Sequence, residues 1–63
     1  MTFTINYYGY SAEEFVSEFS TVEGNLDSAI GEAEEIIEDM KNDGFQITVE
    51  ITDIDGEIHW TNN

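Results

Sequence analysis

Hydrophobic and polar residues alternate at both ends of this 63-residue chain and recur every three or four positions through its middle. In Thr2–Tyr8, Phe3, Ile5 and Tyr7 alternate with Thr2, Thr4 and Asn6, which predicts a half-buried strand that Gly9 ends. Ser11-Ala12-Glu13-Glu14 has the form of a capping box, and Phe15, Val16 and Phe19 follow at helical spacing. Together they predict a short helix over about Ala12–Ser20.

Gly24-Asn25 interrupts, and Asn25 is placed to cap the next element. From there Leu26, Ala29, Ile30, Ala33, Ile36, Ile37 and Met40 keep a spacing of three and four, the strongest periodic signal in the chain. Lys41 complements the dipole in the last turn of this helix, and Asn42-Asp43-Gly44 supplies a left-handed stop. Gly31 lies inside the helix, where a small residue is expected to let another backbone pack close.

After Gly44 the period returns to two. Phe45, Ile47, Val49 and Ile51 share one side, and Gln46, Thr48, Glu50 and Thr52 the other. Asp55-Gly56 is a hairpin signal that pairs Asp53 with Ile58 and Ile51 with Trp60, leaving His59 turned outward. The expected fold is a single α+β domain over residues 1–63, with a three-stranded, mainly antiparallel sheet and one or two helices packed on one face (β-α-α-β-β).

Charge changes the picture most. Fifteen side chains are Asp or Glu, against Lys41 alone and no Arg, for a net charge of −14. Solubility asks for a net charge of only about 2–8 in magnitude, and the excess opposes folding through self-repulsion. Such a surface is suited to a positively charged partner and is repelled by nucleic acid and by acidic lipid, so no direct binding to either is expected. Hydrophobic residues at 40% and aromatics at 13% argue for a folded domain over a disordered acidic tail. No apolar run reaches the roughly 20 residues of a membrane span, and the N-terminus lacks the basic region of a signal peptide, so a cytoplasmic protein is expected.

With Ile30, Ala33, Ile37 and Met40 turned to the sheet, Glu35 and Glu38 fall near the centre of the long helix's opposite face. Glu32, Glu34, Asp39 and Asp43 flank them. Carboxylates three or four residues apart rise about 4.5–6 Å along the axis, with no interleaved cation to relieve repulsion of about 0.2–0.5 kcal/mol per pair. Glu13, Glu14 and Glu18 of the first helix are expected to extend this surface toward one edge. Glu50 and Glu57 are expected on the outer face of the sheet.

Catalytic chemistry finds little material. There is no Cys, no Ser in a nucleophile elbow, and no Gly-rich loop with a Lys to hold phosphate, so no enzyme and no cofactor are expected. Asp53-Ile54-Asp55-Gly56-Glu57 echoes the start of an EF-hand loop, but the acidic residue at the twelfth position is missing and the hairpin accounts for the string better.

A very small Cys-free domain with almost no basic residues, carboxylates lining its helices and a strand-helix-strand-strand layout resembles the phage-encoded DNA-mimic inhibitors, several anti-CRISPR proteins among them. That resemblance implies a non-enzymatic inhibitor acting in the host cytoplasm. Its partner would be a basic DNA-binding protein or a Cas effector complex, whose cationic DNA groove it occupies. An acidic antitoxin that neutralises a basic protein, and an acidic domain adapted to high salt with no specific partner, are the alternatives.

If repulsion among carboxylates opposes folding, salt should stabilise the fold, because the Debye length falls to about 8 Å at physiological ionic strength. The melting temperature is expected to rise between about 10 mM and about 500 mM NaCl. A flat profile in differential scanning fluorimetry contradicts this, and a chain that folds only in molar salt favours the high-salt alternative.

Overall fold

The computed structural model describes residues 1–63. The elements run β1 (Thr2–Tyr10), β2 (Phe15–Glu23), α1 (Leu26–Asn42), β3 (Gln46–Thr52) and β4 (Ile58–Thr61). The strands form one antiparallel sheet in the order β2-β1-β3-β4. The α+β class holds, but the sheet has four strands and the fold one helix, β-β-α-β-β.

The difference lies in residues 10–23. Ser11, Glu13 and Glu14 do make the hydrogen bonds of a helix cap, since the Ser11 hydroxyl accepts from the Glu13 and Glu14 amides at 3.3 and 3.2 Å. Here those bonds close a turn, tied by the Ser11 N–H to the Glu14 carbonyl at 2.9 Å. The chain then returns as β2 beside β1, from Tyr10 opposite Phe15 to Thr2 opposite Glu23. Phe15, Val16, Phe19, Thr21 and Val22 are residues that suit a pleated surface, and pairing along all of β1 satisfies backbone groups that an exposed helix of nine residues could not stabilise alone. Gly9 does not end β1; the strand continues to Tyr10.

α1 begins and ends as its sequence dictates. The Asn25 side chain accepts from the Ser28 amide at 2.9 Å. At the other end Gly44 takes φ +89°. The Phe45 N–H reaches the Met40 carbonyl, and the Gly44 N–H the Lys41 carbonyl, both at 3.0 Å, the paired bonds of a Schellman stop.

The core lies between α1 and the middle of the sheet. Ala29 and Ala33 are fully buried against Ile5, Val49 and Ile51, with Phe3 and Ile47 completing the cluster. Leu26, Ile30, Ile36, Ile37 and Met40 pack around it from the helix, and Tyr7, Val22 and Trp60 from the sheet. Each fully buried Ile or Val contributes about 1.5–3 kcal/mol. Gly9 is the sheet's share of the fit, because a Cβ there would stand 3.1 Å from Met40 Cε and 3.3 Å from the side chains of Ile47 and Phe45. Gly31 plays no such part: no heavy atom lies within 4 Å of a Cβ built on it, and it faces solvent.

The β3–β4 hairpin keeps Ile51 opposite Trp60, as the alternation predicts, but Ile58 pairs with Thr52 and not with Asp53. Asp53 N–H bonds the Glu57 carbonyl and Gly56 N–H the Asp53 carbonyl, each at 3.0 Å, so the loop is a three-residue turn with Gly56 at φ +86°. The odd residue is absorbed as a bulge. His59 is thereby brought to the helix side of the sheet, edge-on to Phe3 with ring centroids 5.7 Å apart, and not outward as the alternation implied. Glu57 sits in the turn and not on the outer face.

Two glycine substitutions test this packing in opposite directions. Gly31→Ala is expected to stabilise the fold by about 1 kcal/mol. Gly9→Val is expected to destabilise it by about 1–3 kcal/mol through overpacking under Met40. Urea unfolding midpoints measure both, and equal effects at the two sites contradict the packing described.

Candidate acidic interaction face

Helical periodicity sets the apolar stripe of α1 onto the sheet and everything else into solvent. Asp27, Glu32, Glu34, Glu35, Glu38 and Asp39 are all exposed, as is Asp43 at the cap. From Asp27 to Asp43 the helix rises about 24 Å. Seven carboxylates over that length average one per about 4 Å of axis, close to the one charge per about 3.4 Å of axis on a single strand of B-DNA. Lys41 is the single cation among them, and no carboxylate on α1 takes part in an ion pair; the only pair in the molecule joins His59 and Asp53.

The turn between β1 and β2 adds to this face in a way the short predicted helix did not anticipate. Glu13 and Glu14 line one hollow together with Asp43 and Gly44 from the helix C-terminus. Glu18 lies on the helix side of edge strand β2, where the Tyr7 hydroxyl donates to it at 3.4 Å. Burial foremost, and then the Glu18 charge, raise the Tyr7 phenol above its usual range. The nine residues expected to form the partner-binding surface thus share the helix side of the molecule, although turn and strand, not a second helix, carry three of them.

A second hollow runs between the C-terminal half of α1 and β4, lined by Glu34, Glu38, Lys41, Trp60 and Asn62 among others. Asn62 closes its floor by imitating a strand. Its amide accepts from Val49 N–H at 2.8 Å and donates to the Ile47 carbonyl at 3.0 Å, which extends the ladder past the end of β4.

The acidic hairpin is a turn held by its own first carboxylate. Asp53 Oδ1 accepts from the Asp55 and Glu57 amides at 2.9 and 3.0 Å, and Oδ2 lies 2.7 Å from His59 Nε2. Both oxygens are engaged within the protein, so the calcium-loop echo in the sequence is a structural Asx turn. No group of three or more His, Asp or Glu side chains converges to hold a metal. No helix is long and apolar enough to cross a membrane.

Sequence reasoning missed the opposite surface. Tyr8, Tyr10, Phe15 and Phe19 stand exposed on the face of the sheet that carries no helix. The available signal was the alternation Phe15, Ser17, Phe19, Thr21, which fits a strand as well as Phe15, Val16, Phe19 fits a helix. No protein-family model matches the chain, and no curated protein or solved structure matches it.

The hydrogen bond with His59, followed by that from the Glu57 amide, holds the Asp53 carboxyl below its usual range. A carboxyl lowered in the folded state stabilises the fold above its unfolded value of about 3.9, and that stabilisation is lost as pH falls through the lowered folded value. The stability deficit of Asp53→Asn is therefore expected to be full at neutral pH and to shrink once pH drops below about 4. Urea midpoints between pH 7 and pH 2 measure it, and a deficit that does not change with pH contradicts the assignment.

Proposed function

We propose that this chain is a non-enzymatic DNA mimic, an inhibitor that sets the acidic side of α1 into the cationic DNA-binding groove of a nucleic-acid-binding protein. A Cas effector complex is the target class that the resemblance to anti-CRISPR proteins suggests. The observation that carries the reading is the run of seven carboxylates on the exposed side of α1 from Asp27 to Asp43, free of ion pairs and with a charge per length of axis close to that of one DNA strand. An ordinary charged helix face interleaves both signs and relieves its own repulsion; this one leaves its charge for another molecule.

The physics of such binding follows from the charge. Lys and Arg in the groove would meet carboxylates in place of phosphates, so association is fast, steered over long range and weakened by salt. Glu13, Glu14 and Asp43 widen the contact at the end of the helix.

The test is competition for a groove. Labelled target duplex bound to a Cas effector complex is expected to be displaced by the chain, with an apparent affinity that falls steeply as NaCl rises. The double reversal Glu35→Lys and Glu38→Lys changes the charge of the helix face by about four units without touching Ile30, Ala33, Ile37 or Met40, and is expected to weaken displacement by at least about tenfold. The same reversal at Glu50 and Glu57, off that face, is expected to leave displacement near its original level. A partner that binds the chain while keeping its DNA affinity contradicts mimicry and favours the antitoxin alternative. Loss of binding through Glu50 and Glu57 alone moves the working surface to the outer sheet face and the β3–β4 turn.

A further inference from the structure

The sheet has two sides and the helix covers one. On the other, alternation places Asn6, Tyr8 and Tyr10 of β1 beside Phe15, Ser17 and Phe19 of β2, with Tyr10 opposite Phe15 and Tyr8 opposite Ser17. Tyr8 is 40% exposed, Tyr10 55%, Phe15 68% and Phe19 70%. At about 200 Å² for a whole aromatic side chain, the four rings leave about 470 Å² of contiguous surface in water. The largest apolar patch of a small protein is often functional.

The charge distribution says what kind of partner fits. Of the fifteen carboxylates only Glu23 and Glu50 fall on this face. Glu23 lies at the far end of β2 from the Tyr10–Phe15 pair, and Glu50 lies across β1 from Phe19, so neither interrupts the rings. A cationic partner is drawn to the helix side, whereas this surface calls for one that is itself aromatic and nearly neutral.

We infer that the occupant is a second copy of the chain, packed sheet against sheet. Doubling the ring area alone gives about 930 Å², and the surrounding Asn6, Ser17, Gln46 and Thr48 carry the total past the roughly 1,000 Å² that a specific interface needs. The order large, small, large along Phe15, Ser17 and Phe19 gives each copy two ridges and a slot, the relief with which stacked sheets interdigitate at about 10 Å. In that arrangement the two helices lie on opposite outer surfaces with their axes about 30 Å apart, several Debye lengths at physiological ionic strength. Pairing two chains of charge −14 through this face therefore brings only Glu23 and Glu50 of each copy near the contact, and both acidic helix faces stay free.

Sedimentation equilibrium of the full chain from about 1 µM to about 1 mM, in about 0.15 M and about 0.5 M NaCl, reads the association. A reversible dimer is expected, tighter at the higher salt. Phe15→Thr with Phe19→Thr keeps strand-forming residues and is expected to weaken the dimer at least about a hundredfold with unchanged far-ultraviolet circular dichroism. Ser17→Lys, at an exposed position that bears no packing, puts a charge at the centre of the contact and is expected to do the same should the double variant fold poorly. A chain that stays monomeric at the highest concentration in both salts overturns the inference and leaves the face to another protein. A dimer indifferent to Ser17→Lys also overturns it, since the contact then lies elsewhere, such as an open edge of the sheet at β2 or β4.

Discussion

The structure depends on one thin apolar contact, the seating of Ala29 and Ala33 on Ile5, Val49 and Ile51. Two alanines on the inward face let the α1 backbone come close to the sheet, and three fully buried β-branched side chains supply most of the area that this approach removes from water. Seven apolar residues form the whole buried cluster. A chain of 63 residues buries only about 60% of its unfolded surface, so little stability is held in reserve against the repulsion of its surface. That is why the periphery is so well tied: an Asx cap at Asn25, a Schellman stop at Gly44, an Asx turn at Asp53 and an Asn62 side chain standing in for a missing strand residue.

One-sided packing also divides the surface into two kinds. The helix layer carries an unrelieved run of carboxylates, continued by the β1–β2 turn, while the bare sheet face is rich in aromatics and hydroxyls and nearly neutral. A marginal core would be safer under a mixed-sign surface. Concentrating one sign on one side costs stability and gains a strong, directional field, the property the proposed mimicry uses. The neutral side has the opposite chemistry and suits a contact in which charge has no role.

Much of this was legible in the sequence where the signal was local and repeated. Seven apolar positions at helical spacing fixed α1 and its buried stripe, Asn25 and Gly44 fixed its ends, and the exposed positions of Glu32 to Asp43 followed from the same wheel. Residues 11–19 were not legible because Ser11 and Glu14 make cap-like bonds in a turn as readily as in a helix, and Phe15, Val16 and Phe19 satisfy both periods; only the nine-residue partner strand β1, a tertiary fact, decides between them. The hairpin shows the same limit on a smaller scale. Asp55-Gly56 announced a turn, but one residue more in the loop and a bulge beside Ile51 carried His59 to the other side of the sheet, a shift that no alternation rule contains.

Charge in this molecule is segregated, strongly negative over α1 and near neutral over the open sheet. Paramagnetic relaxation of backbone and side-chain protons by cationic and by neutral nitroxide probes reads the local potential residue by residue. The cationic probe is expected to be enriched severalfold over the neutral one along Glu32–Asp43 and around Glu13 and Glu14, with a ratio near one at Tyr8, Ser17 and Phe19, under ionic strength low enough for about a 10 Å Debye length. Equal enrichment on both sides of the sheet would contradict it.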